Sequence, residues 1–182
     1  MPLFIDFEAS SLSVRSWPIE IGFAWIGRNG SVASTGWLIQ PDPSWDEADW
    51  SPASAAVHGI PRPALEAAVP AAEVAAWARE VIGDAVLLSD APTFDQRWLD
   101  RLLAAGGIGE GPKIHDLDAA AADAFSARSL DDEGPILALY KALDRAPHPH
   151  RAEADARGLA EAWAAAETVK RRQAENGSRR PD

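Results

Sequence analysis

The segment Leu3-Phe4-Ile5-Asp6-Phe7-Glu8-Ala9-Ser10 constrains this chain more than any other. It is an apolar run of strand length that carries two carboxylates two positions apart. Side chains alternate across a strand, so Asp6 and Glu8 share one face while Ile5 and Phe7 take the other. Two carboxylates about 7 Å apart along a backbone repel each other, and they lose hydration when buried. A fold that buries this strand must therefore set positive charge against that face. One or two divalent cations with oxygen ligands would do so. The alternative is a strand end whose acids point into water.

Length and composition narrow the setting. A chain of 182 residues, 47% of them hydrophobic, has room for one well-buried domain and is short for two. There is no cysteine, which removes disulfides and thiolate metal sites. The N-terminus carries no basic segment followed by an apolar core, and no apolar run approaches the roughly 20 residues that span a bilayer. A cytoplasmic protein with no membrane partner is expected. The net charge of −11 argues against a broad basic grip on long nucleic acid. It leaves nucleic acid open as a substrate, because metal-binding carboxylates count as negative until their ions are bound. Eight tryptophans are expected mainly in the core or at an interface.

Along the chain, Ala9 to Ser13 reads as a polar loop, Ile19 to Ile26 as a strand and Ser31 to Ile39 as a returning strand. Asn29-Gly30 between the two strands is a hairpin signal. A polar loop spans Gln40 to Trp50. Ser51-Pro52 starts a helix that ends near His58-Gly59. Ala71 to Ile82 has helical spacing, with Val74, Trp77, Ala78 and Val81 on one face. Ala85 to Leu88 reads as a buried strand, and the helix after Asp90 stops at Gly106-Gly107. Lys113 to Leu117 reads as a last strand. Helices follow over Asp118–Phe125, Pro135–Leu143 and, after a turn at Ala146 to Pro149, about Arg151–Lys170. The segment 171–182, mixed in charge with glycine and proline, is expected to be a disordered tail. Strands first, then helices interleaved with single strands, give an α/β class.

Three more residues join the two N-terminal acids. Asp95 shares a helical face with Trp98, Leu99 and Leu102, the side turned to the core. On that face an acid is costly unless paired, although the helix dipole also favours an acid at a helix start. Asp155 lies on a small, apolar face with Gly158, Leu159 and Ala162. His150 precedes it by five residues, about 140° away on a regular helix. Pro147 and Pro149 place His150 in the turn before the helix instead, from where it can curl back towards Asp155.

The order and spacing of D-x-E (Asp6, Glu8), F-D before a helix (Phe94, Asp95) and H-x4-D at a helix start (His150, Asp155) resemble the DEDDh exonucleases. Ile19-Glu20-Ile21-Gly22 and Val57-His58-Gly59-Ile60 resemble further elements of that family. The resemblance covers residues 3 to about 165. It implies a ribonuclease H-like fold, with a five-stranded mixed sheet in the order 3-2-1-4-5 flanked by helices, and an exonuclease domain over residues 1–170. It implies two divalent cations, Mg²⁺ or Mn²⁺, held by Asp6, Glu8, Asp95 and Asp155. His150 would be the general base, a role suited to imidazole. The implied reaction releases 5′-mononucleotides from a 3′ end. Ala9 and the Ser10-Ser11-Leu12 loop would contact the terminal nucleotide by backbone groups, with Leu12 as an apolar wedge. His58 is a further substrate candidate, equally readable as a helix C-terminal cap.

The chain departs from the family in places. Ser89-Asp90-Ala91-Pro92-Thr93-Phe94-Asp95 stands where members often have Asn-Ala-x-Phe-Asp, which makes Asp90 a rival to Asp95. Ser10-Ser11 replaces the Thr and Gly usual in the proofreading-type members. The acidic charge favours RNA ends or short oligonucleotides over long duplex, while the choice between RNA and DNA is not encoded in any motif. Two other functions fit the same residues: a nuclease-fold module that docks on a polymerase or other partner, and a phosphodiesterase for small nucleotides. A homodimer is open as well, since a Trp-rich surface suits an interface.

Overall fold

The computed structural model describes residues 1–125 and 134–177. In chain order the elements are β1 (Pro2–Ala9), β2 (Pro18–Ile26), β3 (Val32–Gln40), α1 (Pro52–His58), β4 (Val69–Pro70), α2 (Ala71–Ile82), β5 (Val86–Ser89), α3 (Pro92–Ala105), β6 (Ile114–Asp116), α4 (Leu117–Phe125), α5 (Pro135–Arg145) and α6 (Ala152–Gly177). Short 3-10 turns cover Glu47–Asp49 and Arg62–Leu65. Among the described residues, no helix is long and apolar enough to cross a membrane.

Six strands form one mixed sheet in the order β4-β3-β2-β1-β5-β6. Strands β1, β2 and β3 pair antiparallel, and β5 and β6 add in parallel beyond β1. The expected order of five strands is present, and the count is corrected by one. The additional strand, β4, is two residues long and pairs with Ile39 and Gln40 at the sheet edge. A strand that short, ending on a proline, has no periodicity to read. Gly30, with φ of 80°, supplies the left-handed conformation at the β2–β3 turn.

Period-two alternation on β1 divides the core. Leu3, Ile5, Phe7 and Ala9 face α2 and α3, in a cluster with Val74, Ala78, Leu99 and Leu102. Phe4 faces the other way, in a cluster with Leu159, Ala162 and Trp163 of α6. Each fully buried Leu or Ile stabilises the fold by roughly 1.5–3 kcal/mol. Asp6 and Glu8 are the next even positions after Phe4, so they lie on the α6 side. Of the tryptophans, Trp17, Trp98 and Trp163 are buried, whereas Trp37 is at the surface.

Two glycines let α6 lie directly on the sheet. Gly22 pairs with Asp6 on one side and with Gly36 on the other. A Cβ on Gly22 would sit 2.2 Å from the backbone carbonyl of Ala152, and one on Gly36 would sit 2.8 Å from Cβ of Glu153. The first turn of α6 thus rests on bare backbone beside Asp6. At its other end α6 runs past Lys170 to Gly177. Residues 171–177, expected in a disordered tail, are therefore helical. Arg171 can continue the helix because no Pro or Gly interrupts the sequence before Gly177. Residues 178–182, the rest of the expected tail, lie outside the described residues.

Candidate active site

Three elements separated by most of the chain bring their acids to the C-terminal ends of β1 and β5. Strand β1 supplies Asp6 and Glu8, the β5–α3 junction supplies Asp90 and Asp95, and the start of α6 supplies His150 and Asp155. All six line one cavity of about 370 Å³. Within it the side chains form two groups. One ligand atom from each of Glu8, His150 and Asp155 lies within 4.8 Å of the other two, and the same holds for Asp6, Asp90 and Asp95.

Local chemistry explains how each side chain is held. Asp95, 1% exposed, accepts a hydrogen bond from the Ser89 hydroxyl at the end of β5. Ser89 also accepts the Ala91 N–H, which fixes the turn into α3. Asp155 Oδ2 accepts the N–H of Arg151 at 2.8 Å, a bond that satisfies an orphan donor at the helix start. His150 has φ of 52°, a left-handed conformation rare for a residue with a side chain. The prolines before it, in the sequence Pro147-His148-Pro149, stop α5 from continuing into α6 and leave His150 in the connecting turn.

The electrostatics are those of a site in which acids outnumber the cationic groups beside them. Burial pushes the carboxyl of Asp6 well above the ordinary aspartate range, and the neighbouring carboxylates of Asp95, Glu8, Asp90 and Asp155 push it further. Glu8 is raised from 4.5 to about 7 by burial and by the charges of Asp155 and Glu20, against a lowering by Arg151. Asp95 is raised by burial and by Asp90 and Glu8, while the bonds from Ser89 and the Phe7 backbone oppose the rise. Asp155 is raised too, chiefly by burial. Its Oδ1 is buried and has no hydrogen-bond partner among the described residues. Hard oxygen donors in this number, one of them an orphaned buried carboxylate oxygen, fit oxygen-preferring divalent cations. Asp6, Glu8, Asp95 and Asp155 could hold such ions, with Asp90 at the edge.

The remaining predicted residues fall unevenly. Ala9 and Leu12 line the cavity, and Leu12 is 70% exposed at its mouth. Ser10 is not among the residues that line it. Its side chain is fully buried, and Oγ accepts the Trp17 N–H at 3.0 Å. Ser10 thereby ties the loop to the start of β2, and Ser11 faces the cavity in its place. His58 ends α1 and lines the cavity while almost fully buried. Its Nδ1 accepts the Ile60 N–H at 3.0 Å, so Nε2 carries the proton in the neutral ring. Nε2 is buried without a partner among the described residues, and burial lowers the pKa of the ring. The Asp90 and Asp95 alternatives are not exclusive, since both stand beside Asp6. Asp95 is fixed inside and Asp90 is exposed.

Sequence reasoning placed Trp98 on the core face and quoted Val57 and Phe94 only as motif neighbours of His58 and Asp95, with no contact to a substrate. Val57 and Phe94 are exposed apolar side chains that line the same cavity, and Trp98 lines it from below the Phe94 ring. Their signal was present in part, because an exposed Phe directly before a buried Asp breaks the apolar stripe of α3. Ser89 left no signal, since a lone serine at a strand end is ordinary.

No family model matches the chain, and no curated protein does. Solved structures do. The fold is similar to that of E. coli exonuclease I in complex with a dT13 oligonucleotide, with a TM-score of 0.68 and 16% identity over 96% of this chain. The zinc-ion-bound form of the E. coli exonuclease I–single-stranded DNA complex gives 0.68 at 14% identity over 96% of the chain. A product-bound exonuclease I structure gives 0.66 at 16%, again over 96%. The chain spans 42% of the first two proteins and 45% of the third. At this identity the similarity is one of fold: a mixed α/β sheet flanked by helices, as in an exonuclease.

Proposed function

We propose that this protein is a metal-dependent 3′–5′ exonuclease that releases 5′-mononucleotides from the 3′ ends of single-stranded or short nucleic acid. One observation carries the reading: acids from β1, the β5–α3 junction and α6 converge with a histidine on one cavity, at a net repulsion that divalent cations relieve. The fold shared with exonuclease I supports it, as do the oligonucleotides held by those structures.

Asp6, Glu8, Asp95 and Asp155 hold two Mg²⁺ or Mn²⁺ ions in this reading. Bound there, such ions supply activation of water and stabilisation of the leaving oxygen in an in-line phosphodiester cleavage. His150, beside Glu8 and Asp155, takes the proton of the attacking water. Its place in a turn outside α6 keeps the imidazole at the mouth, where a proton can pass on to solvent. Ser89 keeps the Asp95 carboxylate aimed at Asp6. Leu12, Val57 and Phe94 give the terminal nucleobase an apolar seat, and stacking on such side chains is sequence-tolerant. The Nε2–H of His58 offers one donor to a substrate oxygen, which would satisfy a group that otherwise has no partner.

A time course with 5′-labelled single strands of matched RNA and DNA sequence, in Mg²⁺ and in Mn²⁺, tests the reading. The expected product is a ladder shortened from the 3′ end with release of 5′-mononucleotides. Asp155→Ala should abolish it. No shortening in either metal, or equal shortening by the Asp155→Ala variant, overturns the assignment.

A further inference from the structure

Glu20 is a buried carboxylate that the proposed chemistry does not use. It stands on β2 directly opposite Glu8, on the same face of the sheet, and is 5% exposed. A third acid in that position adds to the charge around Glu8 and, being buried, requires partners of its own. Its commitments are complete. Oε1 accepts Arg151 Nη2 at 2.6 Å and Nε at 3.2 Å, and Oε2 accepts Arg151 Nε at 3.0 Å. Oε2 also accepts the backbone N–H of Ala152 at 3.0 Å. Ala152 is the first residue of α6, and the residue before it, Arg151, has no side-chain acceptor with which to cap the helix. Glu20 therefore caps α6 from a neighbouring strand, and its carboxylate accepts the planar guanidinium fork of the cap residue Arg151.

The clamp sits between the residues that matter. His150 immediately precedes Arg151, in a left-handed conformation. Asp155 follows one turn later and returns its own bond to the Arg151 N–H. We infer that Glu20 and Arg151 form a positioning pair, through which β2 fixes the first turn of α6 and so sets His150 and Asp155 against Glu8. The glycine floor under Ala152 permits the close approach, and the Glu20–Arg151 pair selects one position within it. The Glu20 of the Ile19-Glu20-Ile21-Gly22 stretch thereby acquires a task distinct from metal holding. Because the pair acts on the candidate nuclease site, its kinetic consequences rest on that reading, whereas its effect on the start of α6 does not.

The test uses the full chain with Arg151→Ala, Arg151→Lys, Glu20→Gln and Glu20→Ala, each checked for native circular dichroism. Hydrogen exchange of the Ala152 and Asp155 amides reads the helix start itself, and faster exchange by tenfold or more than in wild type is expected for Arg151→Ala and Glu20→Ala. Mn²⁺ affinity, measured calorimetrically without substrate, should fall by roughly 10–100-fold, the range for partners that orient metal ligands. The kcat for a single-stranded oligonucleotide should fall by a similar factor with KM changed less than about threefold, as expected when ligands are misplaced and substrate contacts are not. Arg151→Lys keeps the charge without the fork and should lie between wild type and Arg151→Ala. Unchanged amide exchange and Mn²⁺ affinity in folded Arg151→Ala and Glu20→Ala would overturn the inference. If wild type neither binds Mn²⁺ nor cleaves, the nuclease reading fails, and the amide exchange decides the positioning role alone. If the alanine variants do not fold, Arg151→Lys and Glu20→Gln decide it by the same two readouts.

Discussion

Replacing Glu8 by glutamine removes one charge from the acidic cavity while keeping the size of the side chain. Burial and the charges of Asp155 and Glu20 raise the folded-state pKa of Glu8 from 4.5 to about 7. The folded protein thus holds this proton at pH values where the unfolded chain has lost it. Stability is unaffected below about pH 4, falls as the pH rises from 4.5 towards 7, and carries the full penalty above that. At ~1.4 kcal/mol per pH unit the penalty is at most about 3.5 kcal/mol. Glu8 is only half-buried, and solvent screening reduces it to about 1–2 kcal/mol. In a chelator at pH 8 the Glu8→Gln variant should therefore be more stable than wild type by that amount, and the difference should vanish near pH 4. Millimolar Mn²⁺ should invert the order, because an ion bound only to the folded state stabilises it by ~2.7 kcal/mol at a hundredfold excess over Kd. Urea unfolding followed by tryptophan fluorescence gives both numbers. A variant no more stable than wild type in chelator at pH 8, or a difference independent of pH, would refute the repulsion argument.

Gly22→Ala should lower stability by about 3 kcal/mol in urea unfolding, at the upper end for overpacking, because its Cβ meets the Ala152 backbone at 2.2 Å. Asp95→Asn should reduce cleavage and Mn²⁺ affinity by more than ~100-fold and Asp90→Asn by less than ~10-fold, as measured by steady-state kinetics and calorimetry, if the buried acid is a ligand and the exposed one an accessory. Phe94→Ala and Leu12→Ala should each raise KM for a single-stranded oligonucleotide about tenfold with little change in kcat, since stacking on a base is worth ~1–3 kcal/mol.

Legibility followed the physics of each element. Strand β1 was readable because alternation is enforced at every residue, and its parity alone put Asp6 and Glu8 on one face with Phe4. The β2–β3 hairpin was readable from Asn29-Gly30, and α2 from its apolar spacing, which gave Ala71–Ile82 at both ends. Strand β4 was not, because two residues paired to Ile39 and Gln40 owe their conformation to the partner strand. The end of α6 was set too early because charge and polarity were read as disorder, whereas an exposed helix tolerates both.

The side chains that meet at the cavity could be collected from spacing, but what each one does there depended on contacts that no spacing carries. Ser10 and Ser11 are the same residue type in adjacent positions. The Ser10 hydroxyl accepts the Trp17 N–H and is buried, while the Ser11 hydroxyl accepts the Ser13 N–H and its residue lines the cavity. Glu8 and Glu20 are likewise identical in type and opposite in register. One remains poorly compensated beside Asp155, and the other is paired with Arg151 and the α6 amide while its charge still acts on Glu8. A site of this kind needs both sorts of acid on one face. In the proposed reading the poorly compensated ones create the demand for cations, and the satisfied one holds the helix that carries Asp155. Removing Glu20 and removing Glu8 should therefore act in opposite directions on the metal-free protein. Loss of Glu8 relieves repulsion, and loss of Glu20 leaves the Arg151 guanidinium and the Ala152 N–H without their partner.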